Sequence, residues 1–211
     1  MANKSLRRYT DLPSLIYMLS NAKLTLLNPE LWDDINDSYY LFRYKERKKL
    51  GSVLALCFTQ AAGSYQHWKV FANSPGGVCV IFDRNKLLSS LKSNSKIRVG
   101  NVTYLTLKDI RRNIPKIKAL PFVKRWAFKS DQEFRIIYHS HTYVSSHDIP
   151  ISLDSISGIL LSPWMHKNLS VCVSQLIRSI DGCRQLSIAR STVVENEEWK
   201  SIGAFATLSD Q

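Results

Sequence analysis

The chain has 211 residues, 45% of them hydrophobic, and a formal net charge of +12. This length and apolar content suffice for one domain with a buried core over residues 1–211. The apolar runs are too short to cross a membrane and the first residues lack the apolar stretch of a secretory signal, so we expect a cytoplasmic protein. Four scattered cysteines without a Cys-x-x-Cys pair argue against a zinc site or a disulfide framework.

The first half of the chain predicts alternating helices and strands. A helix begins after Asp11, which can cap it, and Pro13 suits its first turn. The next predicted elements are a strand over 23–27, a polar helix over 41–50, a strand over 53–58, a short helix over 64–72 and a strand over 78–82. The run over 53–58 is continuously apolar, so we expect a central strand that is buried on both faces.

The second half predicts more strands than long helices. Its predicted elements are a small helix over 86–91, a strand over 97–105, one or two basic helices over 108–128, strands from 133, over 149–153 and over 156–161, a helix from 163 and a strand over 186–194. Pro115 and Pro121 interrupt the basic helices. Because the strands follow one another without regular crossovers, we predict an α+β fold, a single domain with a mixed, mostly antiparallel sheet and flanking helices.

Apolar and polar side chains alternate from Glu133 to Tyr138. A strand has a period of two, so Glu133 and Arg135 share one face, and Phe134 and Ile136 share the other. Two interpretations are open. The charged face is either a functional site or an exposed ion pair on an edge strand.

Positive charge is concentrated in one segment. Residues 84–129 contain thirteen lysines and arginines and a single acid, Asp109, so this segment carries a charge of +12, equal to that of the whole chain. We call these cations the basic belt. Such a belt attracts the phosphates of RNA, DNA or a dinucleotide, or an anionic membrane surface, whereas a solubilising face is the ordinary alternative. We expect nucleic acid, and no membrane, to contact Lys108, Arg111, Arg112, Lys116, Lys118, Lys124 and Arg125.

Nine short segments, spread along the chain, together form a recognisable order of motifs. They are Tyr9-Thr10; Leu24-Thr-Leu-Leu-Asn-Pro29, then Trp32 and Asn36-Asp37; Leu56-Cys-Phe-Thr59; Trp68, then Phe71-Ala72; Gly77-Val-Cys-Val-Ile-Phe-Asp83; Val102-Thr-Tyr104; Lys124 and Trp126; Asp131-Gln-Glu133-Phe-Arg135-Ile136; and Ile159-Leu-Leu161. Over roughly residues 9–161 this order resembles a bacterial family of unknown function, catalogued under the number two-nine-seven-one, that recurs in prophages and defence islands. The chain departs from the family at Val70-Phe71-Ala72, where the family usually has His-Tyr-Ala, and at Lys129 or Ser130, where an acid is frequent.

The layout also resembles a compact ADP-ribosyltransferase, a fold in which residues of three strands frame NAD. The resemblance implies a basic or aromatic residue on the first strand, Arg8 or Tyr9, a hydroxyl on a middle strand, Thr59, and a glutamate that opens a late strand, Glu133. It implies catalytic roles for Glu133, Arg135 and Thr59, and contacts to NAD from Arg8, Tyr9, Tyr65, His67 and Trp68.

The chemistry of the resemblance is specific. Cleavage of the bond between nicotinamide and ribose passes through an oxocarbenium-like transition state, which a carboxylate such as Glu133 stabilises. We therefore expect a bacterial toxin or phage-defence effector that transfers ADP-ribose from NAD to a nucleic acid or a nucleic-acid-associated target. An antitoxin or another defence protein is an expected partner.

Two further interpretations remain open. Asp83, Asp131 and Glu133 could bind magnesium in a metal-dependent nuclease. The cluster from Asp33 to Asp37 also resembles metal ligands, although we interpret it as helix caps or solvated groups, and we expect no structural metal. Alternatively, the chain is a non-catalytic RNA- or DNA-binding protein whose aromatic side chains stack on bases. The candidates for stacking are Tyr104, Phe122 and Trp126.

Overall fold

Strands form the framework of the computed structural model, which describes residues 5–91 and 94–204. Lys92 of the basic belt lies outside these residues. The strands are β1 Ser5–Asp11, β2 Lys23–Leu27, β3 Ser52–Thr59, β4 Gly77–Asp83, β5 Ile97–Asn101, β6 Thr103–Leu105, β7 Val123–Arg125, β8 Glu133–Ser140, β9 Ser146–Pro150, β10 Ile156–Leu161 and β11 Ile188–Arg190. The α-helices are α1 Leu12–Asn21, α2 Ile35–Arg47, α3 Tyr65–Phe71, α4 Arg84–Ser89, α5 Leu107–Arg112, α6 Lys167–Ser179 and α7 Glu197–Ala204.

One sheet contains nine of these strands. Its main path runs β11-β10-β4-β1-β3-β2-β9, and β8 pairs with both β3 and β5. Its strands pair antiparallel except β10 and β11, which are parallel. The separate pair of β6 and β7 is also parallel. The prediction of an α+β fold with a mixed, mostly antiparallel sheet and flanking helices is confirmed.

The sheet forks at β3. One edge of β3 pairs with β8 over its full length, from Ser52 to Thr59. Its other edge is shared, because β1 meets it at Thr59 and β2 meets it at Ala55. The carboxyl end of β3 therefore lies between β1 and the start of β8.

Local sequence signals explain where α1 begins and which face it buries. The Asp11 carboxylate accepts a 2.7 Å hydrogen bond from the Ser14 N–H, and Pro13 occupies the first turn. Leu15 and Leu19, one helical turn apart, are buried in the main core. The predicted helix is confirmed.

Strand β8 is buried on both faces. Phe134 and Ile136 join the main core, and Ile137 packs against Leu41 and Tyr44 of α2 on the other side. Because β8 lies between β3 and β5, it is not an edge strand. The interpretation of an exposed ion pair on this strand is wrong.

The basic segment contains much less α-helix than predicted. Helix α5 ends at Arg112, and the chain continues as 3-10 helices over Ile117–Phe122 and Trp126–Asp131 on either side of β7. Proline has no N–H donor, so Pro115 and Pro121 prevent a regular helical ladder here. The predicted strand over 97–105 is also divided, and its two parts, β5 and β6, belong to different sheets.

Several boundaries also differ from the predictions. Helix α2 begins at Ile35 rather than near 41, because Asp34 caps it. Helix α6 begins at Lys167 rather than at 163, after a cap by His166. The predicted strand over 149–153 ends at Pro150, and β11 covers only the middle of the predicted run over 186–194. No helix in the described part of the chain is long and apolar enough to span a bilayer.

Candidate active site

Three side chains form a row across β1, β3 and β8. Arg7 is directly opposite Thr59, and Thr59 is directly opposite Glu133. Residues that face each other in antiparallel strands project from the same side of the sheet. A guanidinium, a hydroxyl and a carboxylate therefore share one face at the fork of the sheet.

The Glu133 carboxylate is buried and ion-paired through both oxygens. Its side chain is 7% exposed. Oε1 accepts a 2.7 Å hydrogen bond from Arg135 Nε, and Oε2 accepts a 3.2 Å hydrogen bond from Lys124 Nζ. Burial alone would raise the pKa of Glu133, but Arg135 and Lys124 outweigh it and lower the pKa below its ordinary value. The carboxylate is thus held in its ionised form.

Arg135 is fixed from the side of α2. Its Nη1 and Nη2 donate hydrogen bonds of 2.9 and 2.7 Å to the two carboxylate oxygens of Asp37. Nη1 also donates to the Pro121 carbonyl at 2.9 Å, and the guanidinium lies 5.1 Å from the centre of the Trp32 ring. With no exposed surface, Arg135 cannot touch a substrate, so the arginine expected to be catalytic is placed to orient Glu133.

Lys124 joins the same network. Its ammonium group lies 3.2 Å from Glu133, 3.6 Å from Asp37 and 3.7 Å from Asp131, and its side chain is 10% exposed. We call these five side chains the ion network: Asp37, Lys124, Asp131, Glu133 and Arg135. With three carboxylates and two cations, the network carries an excess of one negative charge when all its groups are ionised.

Asp37 is the member of the network that sequence reasoning missed. The sequence predicts that Asp37 is a helix cap or a solvated group, but its side chain is buried, with 2% exposed. Burial raises the pKa of Asp37, and the neighbouring Arg135 opposes this effect. The spacing contained a signal. Asp37, Leu41 and Tyr44 stand at i, i+4 and i+7, which places them on one buried face of a helix. A carboxylate on that face requires a cation from another element.

The aromatic residues expected to bind NAD are divided between a cluster, the core and the surface. Tyr9 stacks on His67 at a centroid distance of 5.7 Å and meets Trp68 edge-on at 5.1 Å. Trp68 is 1% exposed and forms the floor of this cluster. Tyr65 lies apart from the cluster, half-exposed against Trp164.

The close approach of β4 fixes the position of α3 and its aromatic residues. Gly77 opens β4 beneath the end of α3, where a Cβ atom would lie 2.4 Å from the carbonyl oxygen of Ala72. A larger residue would push α3 away from the sheet. Glycine at this position thus keeps Trp68 and Tyr9 in contact.

The aromatic cluster adjoins the row. Alternation along β1 places Tyr9 on the same side of the sheet as Arg7. Arg8 lies between them in the strand and projects from the opposite side, where it donates a 3.5 Å hydrogen bond to the Cys57 carbonyl. Burial lowers the pKa of His67, while Asp131 raises it and Arg7 lowers it. The register thus brings Arg7, rather than the expected Arg8, beside Thr59.

Two hydroxyl groups near the row are held in different ways. The Thr59 hydroxyl donates to the Asp131 carbonyl and accepts a 3.0 Å hydrogen bond from the Ala61 N–H, so it ties together the two chain segments that frame the site. The Tyr9 hydroxyl is buried without a hydrogen bond of ordinary length and angle. A Cβ atom on Gly63 would lie 3.5 Å from it. Because this oxygen is closed off from the surface, it is the Tyr9 ring rather than its hydroxyl that a bound molecule could meet.

A cavity of about 100 Å³ borders the ion network. Its polar lining includes Lys124, which contacts Glu133, and Asp37, which contacts Lys124. The remaining lining comes from α2, α5, β6 and β7 and consists of Asn36, Tyr40, Leu105, Thr106, Leu107, Ile110, Val123 and Arg125. Within residues 5–91 and 94–204, no three His, Cys, Asp or Glu side chains are grouped as ligands for a metal ion.

Most of the cations expected to bind nucleic acid lie at the surface. The exposed ones are Lys108, Arg111, Arg112, Lys116, Lys118 and Arg125. Lys124 differs, because its ammonium group is committed to the ion network. Of the aromatic residues proposed to stack on bases, Trp126 is half-exposed, whereas the Tyr104 hydroxyl accepts a 2.7 Å hydrogen bond from the Glu133 N–H.

Comparison with known proteins gives structural matches only. No family model and no curated protein matches the chain. Three solved structures of DarT from Thermus sp. 2.9 are similar to it. The complex with NAD+ has a TM-score of 0.47 and 8% identity, with 90% of this chain and 96% of that chain covered. The complex with ADP-ribosylated ssDNA also has a TM-score of 0.47 and 8% identity, with 90% of this chain and 95% of that chain covered. The complex with carba-NAD+ has a TM-score of 0.45 and 9% identity, with 90% of this chain and 97% of that chain covered.

Proposed function

We propose that this protein transfers ADP-ribose from NAD to a nucleic acid or a nucleic-acid-associated target. The observation that supports this most is the row of Arg7, Thr59 and Glu133, in which an ionised and immobilised carboxylate lies beside a hydroxyl and a guanidinium. A preorganised negative charge is what an oxocarbenium-like transition state requires.

In this proposal Glu133 stabilises the positive charge that develops on the ribose as its bond to nicotinamide breaks. The electron pair of that bond leaves with the nicotinamide nitrogen, and the acceptor forms the new bond to the ribose carbon and loses its proton to water. The excess negative charge of the ion network favours this separation of charge. A ribose hydroxyl takes the place of the Lys124 ammonium at Oε2 and donates a hydrogen bond to Glu133.

The neighbouring groups fit the rest of NAD. Arg7 is half-buried and can donate paired hydrogen bonds to a phosphate or to ribose hydroxyls. Tyr9 and His67 form a stacked pair beside it, with ring centroids 5.7 Å apart. We assign the aromatic pair to nicotinamide binding.

The exposed cations of the basic belt hold the polyanionic target in this proposal. They lie on the segment that also supplies Lys124 to the ion network, so a bound nucleic acid is close to Glu133. As part of the same proposal, we place the chain in the family catalogued as two-nine-seven-one, as a cytoplasmic toxin of phage defence that an antitoxin or another defence protein restrains.

The test is to incubate the purified protein with NAD and a single-stranded oligonucleotide and to measure nicotinamide release and the mass of the oligonucleotide. We expect NAD-dependent turnover that is insensitive to EDTA and lost in Glu133→Gln, together with an increase in thermal stability when NAD is added. Absence of both turnover and a thermal shift would contradict the proposal.

A second candidate is polyanion binding without turnover, which the exposed cations of the basic belt support. Salt-sensitive binding of the oligonucleotide that is unchanged by Glu133→Gln, with no NAD consumption, would identify it. The metal-dependent nuclease is less well supported. Asp83, which it requires, caps α4 by accepting hydrogen bonds of 2.9 and 3.0 Å from the N–H groups of Asn85 and Lys86.

A further inference from the structure

An apolar groove with a cationic rim lies between α2 and the segment 110–120. Its volume is about 230 Å³. Aliphatic side chains form most of the lining, namely Ile110, Ile114, Pro115, Ile117 and Leu120, and α2 contributes Tyr40, Arg43 and Arg47. The pattern of an apolar centre inside a polar rim is that of a protein interface.

Two isoleucines of the groove are unusually exposed for aliphatic side chains. Ile114 is 81% exposed and Ile117 is 41% exposed. Exposed aliphatic side chains that line one groove indicate a binding surface.

The charged side chains that line the groove are cationic. Arg43 and Arg47 line it, and Lys116 and Lys118 flank it on the opposite wall. Arg43 pairs with Glu46, but Arg47, Lys116 and Lys118 form no salt bridge with any residue of 5–91 or 94–204. Among the described residues, no carboxylate lines the groove. The complementary surface is therefore acidic.

The aliphatic floor favours a protein over a nucleic acid. Bases are bound by stacking on aromatic rings or by hydrogen bonds to their edges, and isoleucine, leucine and proline side chains provide neither. Tyr40, the aromatic residue found among the described residues of the lining, is only partly exposed. A large apolar side chain of a protein, in contrast, gains affinity by filling such a pocket.

We propose that this groove binds an acidic segment of another protein through one large apolar anchor side chain. The anchor lies between Ile114 and Leu120, and carboxylates on either side of it pair with Arg47 and Lys116. Tyr40 and Ile110 line both this groove and the cavity that borders the ion network, so the docked segment lies next to the candidate active site. The docking itself is independent of any catalysis.

The test uses a fluorescent, helical 16-residue peptide with glutamates flanking one central phenylalanine, and measures its anisotropy with the full chain. Matched peptides carry serine in place of phenylalanine, or lysines in place of the glutamates, and a 16-nucleotide oligo-dT serves as the nucleic acid. Ile114→Glu blocks the groove and repels the acidic peptide. Val70→Glu, at a position that is 70% exposed on α3, is the matched control.

We expect the acidic phenylalanine peptide to bind, and both its serine analogue and the Ile114→Glu variant to weaken binding by about tenfold or more. Val70→Glu should leave the affinity unchanged, and the lysine peptide should not bind. Equal binding of the phenylalanine and serine peptides, or no binding of either, would overturn the proposal. So would loss of oligo-dT binding in Ile114→Glu without any effect on the peptide, because the groove would then be a nucleic-acid site.

Discussion

The ion network and the basic belt are both rich in charge, but they use it in opposite ways. In the network, every charge is at least partly buried and has an oppositely charged partner within 4 Å. On the belt, six of the seven cations expected to bind nucleic acid are exposed. Buried charges must be paired for the protein to fold, whereas exposed unpaired ones contribute little to stability and remain available to a ligand. Substitutions in the two regions should therefore affect different properties.

The largest effect on stability is expected for Asp37→Ala. This change leaves the guanidinium of Arg135 buried with only Glu133 as an acidic partner, and loss of one member of a buried pair costs about 3–5 kcal/mol. Urea unfolding measures the loss. Asp33→Ala is the matched control, because Asp33 is an exposed aspartate four residues away, and its removal should change the unfolding free energy by less than about 0.5 kcal/mol. Equal effects of the two changes would contradict the importance of the network.

The next prediction concerns pH. The pKa of Glu133 is lower in the folded protein than in the unfolded chain, where it has its ordinary value of 4.5. The ion pairs of Glu133 therefore stabilise the fold fully above pH 4.5. This stabilisation is lost as the pH falls through the pKa of Glu133 in the folded protein. The difference in unfolding free energy between wild type and Glu133→Gln should therefore be largest near neutral pH and decrease below pH 4.5. Loss of the Glu133 charge also lowers the pKa of Asp37, which partly offsets this pH dependence. A difference that stays constant down to pH 3 would refute the assignment.

Substitutions in the basic belt should change the affinity for nucleic acid rather than the stability of the fold. Arg111→Gln combined with Arg112→Gln should weaken binding to a single-stranded oligonucleotide and reduce the slope of log affinity against log salt by about 0.7 for each lost phosphate contact. The unfolding free energy should change by less than about 0.5 kcal/mol. Arg178→Gln with Arg184→Gln, two exposed arginines outside the belt, provides the control and should leave the salt slope unchanged.

The smallest effect on stability is expected for Tyr9→Phe. The hydroxyl makes no ordinary hydrogen bond, so its removal should leave the unfolding free energy within about 1 kcal/mol of wild type, or slightly above it. The thermal shift caused by NAD should also change little, because the buried hydroxyl does not face the ligand and the ring that stacks on His67 is retained. A large decrease in the shift would show that the hydroxyl contacts NAD.

The elements with local signals could be predicted from the sequence. The cap and spacing of α1, the continuous apolar runs of β3 and β4, and the alternation along β8 are properties of short segments, and the structure confirms them. For residues 108–128 the sequence predicts one or two basic helices interrupted by Pro115 and Pro121. The chain path there also depends on the pairing of β6 with β7, which no short window of sequence reveals.

The candidate site also combines features that a short segment of sequence predicts with features that depend on residues far apart in the chain. The position of Glu133 at the start of a strand is a local feature, and so is the alternation that places Arg135 on its face. The choice of Arg7 over Arg8 depends on the register between β1 and β3, which are separated by some fifty residues. The pairing of Asp37 with Arg135 joins α2 to β8 across 98 positions, so only the helical spacing of Asp37 hinted at its burial.

The most direct test of the central claim compares NAD turnover in Glu133→Gln and Asp37→Asn at a temperature where circular dichroism shows both variants to be folded. Each change removes one negative charge from the same ion network, but only Glu133 stands in the row with Arg7 and Thr59. We predict that turnover falls at least about a hundredfold in Glu133→Gln and less in Asp37→Asn. Equal turnover in the two folded variants would show that the Glu133 carboxylate serves only to hold the structure together.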